Sequence, residues 1–215
     1  MSSKGIAGLL ERIGFREGCI VETILATMNS DGSFNLAPMG VTRRGSLNLE
    51  VNPFKTSQTY RNLKQAGPVC INVTSAPELF LQTAFKNVVC KGFRKPKTKG
   101  LRLEHSDACV MVEVLKLVDA SELQSKALCS VMSVELTNTT PQAFSRGRAE
   151  ALEAVIHATR IQAFHEQDLS KPLESSVKLF KESCKIVERV SSMDSVEYRV
   201  VCELVKLTDA WRSDS

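Results

Sequence analysis

The stretch that decides the fold is Ser33–Ser75, SFNLAPMGVTRRGSLNLEVNPFKTSQTYRNLKQAGPVCINVTS. Its hydrophobic periodicity changes from two to three or four residues and back again, and Gly and Pro mark the boundaries. It therefore predicts four elements in this order: a strand at Ser33–Thr42, a strand at Ser46–Val51, a helix at Thr56–Gln65 and a strand at Val69–Thr74.

The same signals extend the pattern in both directions. Upstream they predict a short helix at Ile6–Ile13 and a strand at Cys19–Met28, which the turn Asn29-Ser30-Asp31-Gly32 joins to the next strand. Downstream they predict a helix at Pro77–Phe85 and strands at Val88–Gly92, Ala108–Val118 and Leu128–Leu136. After Thr140-Pro141 the helical period prevails, in Ala143–Glu166, Val177–Val190 and a last helix opened by the capping-box spacing of Asp194 and Glu197.

These elements predict a mainly β chain with added α structure. We expect an antiparallel barrel of six or seven strands in residues 1–140 and a C-terminal helical subdomain, packed on the barrel, in residues 141–215. The hydrophobic share of 43% and charged share of 24% are ordinary for a globular domain. A net charge of +4 does not by itself indicate a nucleic-acid partner.

The seven cysteines are odd in number and form no C-x-x-C motif, which favours a reduced, cytoplasmic protein over a disulfide framework. No apolar run is long enough to span a bilayer, and the charged N-terminus excludes a secretory signal. The three histidines lack a second ligand at metal spacing. We therefore expect no metal site and no membrane partner.

The polar segment before the predicted helix indicates an anion site. Lys55, Thr56, Ser57 and Thr59 supply side-chain donors beside the free N–H groups of a helix start. The preceding strand carries Ala37-Pro38-Met39-Gly40, where Pro and Gly are expected to interrupt the ladder. We hypothesise one ligand, with its phosphate at the helix start and its flat ring along the interrupted strand.

Each of these features has a structural alternative. The hydroxyls can serve as helix caps, and Pro38–Gly40 can be a bulge in an edge strand. Asn62 lies on either the ligand side or the solvated side of the helix. Arg43 and Arg44 fit a solvated turn, although their place near the proposed site allows a supporting contact to phosphate.

The sequence resembles the FMN-binding split-barrel superfamily of flavin-reductase-like proteins. The segments that carry the likeness are Asn35–Val41, Leu47–Val51, Thr56-Ser57-Gln58-Thr59, Gly67–Val73 and Glu78–Phe85. Val21-Glu22-Thr23-Ile24, Ala37-Pro38-Met39-Gly40 and Ile156-His157-Ala158-Thr159-Arg160 look closer to one branch, of uncharacterised archaeal and methylotroph proteins described as binding FMN. The second strand is shorter than in typical flavin reductases, which leaves less room for a nicotinamide-facing loop.

The resemblance implies FMN held non-covalently between two protomers of a homodimer. In such barrels the Pro38–Val41 backbone lines the isoalloxazine, and Thr56, Ser57 and Thr59 take the phosphate. The full set of expected cofactor-binding residues is Asn35, Pro38, Met39, Gly40, Val41, Phe54, Lys55, Thr56, Ser57, Thr59 and Asn62. No catalytic side chain is assigned, because the flavin carries the electron chemistry.

Three functions remain open. The first is an FMN-dependent oxidoreductase, which the distribution of the branch links to pterin-dependent one-carbon metabolism. The second is a non-catalytic flavin carrier or sensor. The third is an anion- or nucleic-acid-binding protein that uses the basic loop Lys91–Arg102, although that loop lacks the interleaved aromatic residues of single-strand binders.

Overall fold

The computed structural model describes residues 3–18, 20–65, 67–86, 93, 96–137, 145–167 and 169–213. These residues divide into two compact units. The first combines Met1–Thr74 with Pro96–Thr140, and the second combines Ser75–Lys95 with Pro141–Ser215. The helix that follows residue 74 thus belongs with the C-terminal helices. The division at residues 140 and 141 stays a prediction.

The first unit contains two helices and eight strands among its described residues. They are α1 (Ser3–Arg12), β1 (Ile20–Met28), β2 (Phe34–Arg43), β3 (Asn48–Val51), α2 (Gln58–Lys64), β4 (Val69–Val73), β5 (Thr98–Lys99), β6 (Arg102–Leu103), β7 (Ala108–Asp119) and β8 (Ser125–Leu136). The predicted strand at Val88–Gly92 lies outside the described residues. The other predicted elements of this unit are present, with shifts of a few residues at their ends.

Six strands close into an antiparallel barrel in the order β1-β2-β3-β8-β7-β4, and β5 pairs with β6 in a separate hairpin. The predicted antiparallel split barrel is therefore confirmed. The β1–β2–β3 meander follows from the tight turns between these strands, which bring consecutive segments side by side.

The barrel is filled by the apolar side chains on one face of each strand. Val41, Leu49, Ile71 and Val110 are fully buried, and they pack in one cluster that also contains Leu10 of α1. Because successive side chains of a strand point to opposite faces, these residues point into the barrel and their neighbours point away from it. Helix α1 therefore closes part of the barrel core with its apolar face.

The second unit contains four helices among its described residues: α3 (Pro77–Ala84), α4 (Arg146–Glu166), α5 (Ser170–Val190) and α6 (Val196–Ser213). Helices α5 and α6 both pack on α4. The predicted C-terminal helices are confirmed, except that the start of the first, at residues 143 and 144, lies outside the described residues. The last helix is capped by Ser195, whose hydroxyl accepts from Tyr198 N at 3.2 Å, rather than by Asp194.

Candidate functional site

Strand β2 has one edge that no described strand covers along Leu36–Gly40. Its pairing with β1 runs in unbroken register from Phe34 to Thr42, but its pairing with β3 is limited to Val41, Thr42 and Arg43. Pro38 and Gly40 therefore form no bulge in the β1 ladder, whereas the ladder between β2 and β3 stops at Val41 and leaves the predicted free backbone edge along Pro38–Gly40. Proline is tolerated because the other edge of the strand makes no ladder at this point.

The chain leaves β2 after Val51 because it stays paired with β8. Ser125 N donates to Pro53 O at 3.0 Å, Lys55 N donates to Leu123 O at 2.9 Å, and Phe54 forms an isolated bridge with Gln124. These bonds carry the backbone along β8 while β2 continues beside β1. Beyond Val41 and Val51, β2 and the segment that leads to α2 are no longer paired with each other, and we call the region between Leu36–Gly40 and Pro53–Ser57 the split.

The polar segment beside the split contributes its side chains in different ways. Thr56 is exposed, and Phe54 is 41% exposed. Ser57 is the N-cap of α2: its hydroxyl accepts from Tyr60 N at 3.1 Å and donates to Phe54 O at 2.7 Å. The structural alternative of helix capping is thus present for Ser57, whereas Thr56 is an exposed residue that does not cap the helix.

Lys55 forms an ion pair with Asp119 across the same edge of the barrel. Its Nζ lies 3.0 Å from Asp119 Oδ1, and hydrogen bonding to Lys55 holds the pKa of the Asp119 carboxyl below its ordinary value. The Asp119 side chain is 73% exposed and that of Lys55 26%, so solvent screens the pair from one side and another anion can replace the Asp119 carboxylate. Lys55 therefore offers a cation next to Thr56 without a buried partner.

Three of the expected ligand-binding residues lie instead in a buried polar network. Asn35 donates to the Thr59 hydroxyl at 3.1 Å and to the Thr27 hydroxyl at 3.3 Å. Asn62 donates to Thr27 at 2.9 Å and to Asn29 Oδ1 at 2.8 Å. Each of Asn35, Thr59 and Asn62 is at most 5% exposed. These contacts tie α2 to β1 and β2, so the three residues hold one wall of the split in place.

Residues 38–41 of β2 alternate between its two faces. Met39 packs against the barrel core and Val41 is completely buried within it. Pro38 and Gly40 lie on the opposite face and are partly exposed. A Cβ added to Gly40 would lie 3.1 Å from Ile20 Cγ2, so glycine allows the neighbouring strand to pack closely here. For Met39 and Val41, only the backbone is available to a ligand along the β2 edge.

Arg43 is buried and structural, so its assignment to a solvated turn is wrong. Its guanidinium donates to the carbonyls of Phe15 at 3.0 Å, Gly45 at 3.0 Å and Ser46 at 3.2 Å, and it pairs with Glu11. It is only 6% exposed because the carbonyls replace water around the charge. The guanidinium therefore joins the end of α1 to the β2–β3 turn.

Arg44 is half exposed and pairs with Glu50 at 3.1 Å. Hydrogen bonding to Glu50, strengthened by its charge, raises the pKa of Arg44. Because Glu50 also lies 3.6 Å from Lys126, its carboxylate already has two cationic neighbours. Arg44 belongs to this surface group, and its supporting contact to a phosphate stays a prediction.

The basic loop is partly a hairpin. Lys91, Arg94 and Lys95 lie outside the described residues, whereas Lys99 and Arg102 form the β5–β6 ladder. Arg102 is paired with Glu135 at 2.6 Å, which removes one cation from the predicted patch.

Sequence reasoning missed Asn72, the polar centre of β4. This residue is fully buried, donates to the carbonyls of Ile24 and Leu101, and accepts from Leu103 N at 2.8 Å. The feature of the sequence that could have indicated its role is that it is the single amide in the apolar run VCINV. An amide buried in such a strand needs several hydrogen-bond partners.

Among the described residues, no helix is long and apolar enough to cross a bilayer. In the same part of the chain, no three His, Cys, Asp or Glu side chains converge as metal ligands.

Solved structures share this fold. The FMN-bound protein of Methanosarcina mazei aligns with a TM-score of 0.70 and 23% identity, over 93% of this chain and 99% of its own. The styrene monooxygenase flavin reductase of Pseudomonas putida S12 aligns with a TM-score of 0.47 and 17% identity, over 57% of this chain and 83% of its own. Flavoredoxin of Methanosarcina acetivorans aligns with a TM-score of 0.45 and 15% identity, over 57% of this chain and 72% of its own.

The last two similarities are too low to carry an argument, and the first concerns the fold. No curated protein sequence matches the chain. The sequence does assign the chain to a family, because one family model matches more than half of its residues. Residues 21–138 match the N-terminal domain described as "protein of unknown function (DUF447)", and the chain belongs to this family.

Proposed function

We propose that this chain is an FMN-binding flavoprotein and acts as an oxidoreductase. The observation that carries the proposal is the split, where an open strand edge lies opposite the polar entrance to α2. The fold neighbour from Methanosarcina mazei is described as FMN-bound, which supports this choice of ligand. An open strand edge offers backbone N–H and C=O groups at the regular spacing that the polar edge of a flavin ring can use.

The phosphate is proposed to bind at Thr56. Thr56 is exposed, and Lys55 is the residue immediately before it. The exposed Arg61 guanidinium donates to Thr56 O at 2.8 Å. Two cations beside a hydroxyl form a favourable environment for a phosphomonoester dianion. The isoalloxazine is proposed to lie along the backbone of Pro38–Val41, with Phe54 at its margin.

The buried network gives this wall of the split a fixed position. Asn35, Thr59 and Asn62 are proposed to act by positioning α2 rather than by touching the ligand, because their polar atoms already have partners within the protein. FMN, when bound, supplies the electron-transfer chemistry. The chain itself contributes placement of the ring, charge near the phosphate and exclusion of water from the covered strand.

The test compares FMN with riboflavin, which has the same ring and no phosphate. Thr56→Glu places a carboxylate where the phosphate is proposed to bind, so we expect it to weaken FMN binding at least about tenfold and to leave riboflavin affinity within about twofold. Thr137→Glu, the same change at another exposed threonine of the barrel unit, is the matched control and is expected to leave both affinities unchanged.

Binding is measured by quenching of flavin fluorescence. A wild-type protein that takes up neither flavin would overturn the proposal. Equal losses of affinity for FMN and for riboflavin in the Thr56→Glu variant would be consistent with flavin binding but would contradict a phosphate site in this segment.

A homodimer with flavin near its interface is part of the proposal. Support comes from large apolar side chains on the barrel unit that are more than 40% exposed: Ile20, Phe54, Leu115, Leu123 and Met132. Such surface is commonly covered by a second subunit. Sedimentation equilibrium of the wild type and of Phe54→Ser tests it, and a wild-type monomer at micromolar concentration would contradict it.

Reductase activity is the preferred role over a carrier role. Steady-state oxidation of NADH or NADPH by the FMN-loaded protein separates the two, because a carrier retains FMN without turnover. A cytoplasmic location is proposed because the five described cysteines are free thiols. A link to pterin-dependent one-carbon metabolism is supported only by the sequence resemblance.

A further inference from the structure

Three sulfur side chains share one face of the β4–β7 ladder, opposite to the barrel core. Cys70 lies directly across from Met111, and Cys109 precedes Met111 by two residues on the same face. Side chains paired directly across an antiparallel ladder have Cβ atoms about 5 Å apart. Cys70 and Cys109 are at most 4% exposed and form one cluster, against which Met111 packs.

Hydrogen bonds direct both thiols toward the same point. The Cys109 thiol donates to Asn72 Oδ1 at 3.4 Å and the Cys70 thiol donates to the same oxygen at 3.8 Å. Ser106 Oγ lies 3.3 Å from the Cys109 sulfur. A buried cysteine that served only as a small apolar residue would need none of these polar neighbours.

A short hairpin packs beside the cluster. Asn72 Nδ2 donates to Leu101 O at 3.2 Å, and Asn72 Oδ1 accepts from Leu103 N at 2.8 Å. Leu101 belongs to the cluster that contains both cysteines. The β5–β6 hairpin, whose turn contains Leu101, is therefore held beside the cysteines by Asn72 and by the Arg102–Glu135 ion pair.

We propose that Cys70, Cys109 and Met111 form a binding site for the soft monovalent metal ion Cu(I). Thiolate and thioether sulfurs select Cu(I) over the harder divalent ions. A structural zinc site requires four nitrogen, oxygen or sulfur ligands, and no third His, Cys, Asp or Glu joins the pair among the described residues.

Binding forms two thiolate–copper bonds and breaks two S–H bonds. Both protons leave to solvent and no electron is transferred. The Met111 thioether adds a third sulfur–copper bond as a neutral ligand, so the resulting site carries one negative charge. The proposal does not depend on flavin binding, because none of these residues lines the split.

The experiment is an anaerobic titration of the full-length protein with Cu(I) in competition with a chromogenic Cu(I) chelator. We expect the wild type to remove about one equivalent of Cu(I) and to develop near-ultraviolet thiolate-to-copper absorption. Cys109→Ala and Cys70→Ala are each expected to weaken binding at least about a hundredfold, and Met111→Leu, which keeps the side-chain volume, about tenfold.

Cys129→Ala and Cys184→Ala are the matched controls, since each removes a different buried thiol. Both are expected to retain the wild-type affinity. Circular dichroism identifies variants that fail to fold, and Met111→Leu tests the site if either cysteine variant does. Failure of the wild type to compete, or an equal loss in Cys184→Ala, would overturn the proposal.

Discussion

The buried network around Asn62 allows a quantitative prediction for Asn62→Ala. In the wild type, the Asn62 amide donates to the Thr27 hydroxyl and to Asn29 Oδ1, and its carbonyl oxygen accepts from Gln58 Nε2 at 2.8 Å. Alanine removes all three bonds at once. It leaves Thr27, which is 1% exposed, with one fewer donor and no route to water.

The expected magnitude follows from these contacts. Three hydrogen bonds at a net value of about 1 kcal/mol each give about 3 kcal/mol, and the better helix propensity of alanine returns about 0.6 kcal/mol. We therefore expect the free energy of unfolding of the barrel unit to fall by about 2.5 kcal/mol. Gln58→Ala removes the bond to Asn62 at a half-buried position and an exposed bond from Arg61, and it is expected to cost less than about 1 kcal/mol.

Urea denaturation followed by far-ultraviolet circular dichroism measures the change, and amide exchange of β1 reports it locally. The β1 amides are the informative ones, because β1 carries both Thr27 and the chain leading to Asn29. A loss within about 0.5 kcal/mol of the Gln58→Ala value would refute the reasoning, since it would mean that water or rearranged side chains replace the network.

Three further predictions concern other parts of the molecule. Gly147→Ala is expected to lower the melting temperature of the helical unit, because the added Cβ would overlap Ser191 Oγ. Arg43→Lys is expected to cost about 2–4 kcal/mol in chemical denaturation, because an ammonium cannot reach all the carbonyls that the guanidinium fork bonds. Burial, followed by the charge of Arg160, lowers the pKa of His157. The unfolded state thus binds more protons below pH ~6.5, so we expect stability to fall from pH 7 to pH 5 and this dependence to weaken in His157→Gln.

Each of these has a control on the same chain. Gly8→Ala adds a Cβ with no atom within 4 Å and is expected to be neutral or stabilising, in contrast to Gly147→Ala. Arg12→Lys alters an exposed arginine and is expected to change stability by less than about 0.5 kcal/mol. His165→Gln, the same change at another histidine of α4, is the matched control. A slope that persists unchanged in His157→Gln would contradict the assignment.

Much of the barrel was predictable from local sequence. The alternation in Asn48–Val51 and the turn Asn29–Gly32 required neighbouring antiparallel strands, because a shift of one residue would turn every apolar side chain outward. That the residues beside the split bind a ligand stays a prediction. Their burial was not predictable, since Thr56 and Thr59 look alike in sequence, yet Thr56 is exposed and Thr59 is buried.

Arg43 and Asn72 show where local reasoning ends. Each is polar and was read from its neighbours as part of a turn or a strand, yet each is buried because carbonyl groups distant in sequence surround it. A charged or amide side chain becomes stable inside a protein only when such partners converge. No single segment contains that information.

The sequence by itself determined the strands, the helices, the order in which they follow one another and the polar entrance to α2, because periodicity and turn chemistry act over a few residues. Only the tertiary structure decided that the chain after Val51 follows β8 rather than β2. It also decided that Asn35 bonds to Thr59 and that Asn35 and Asn62 both bond to Thr27. These outcomes depend on contacts between distant segments. Their free energies arise when the barrel closes and water is excluded.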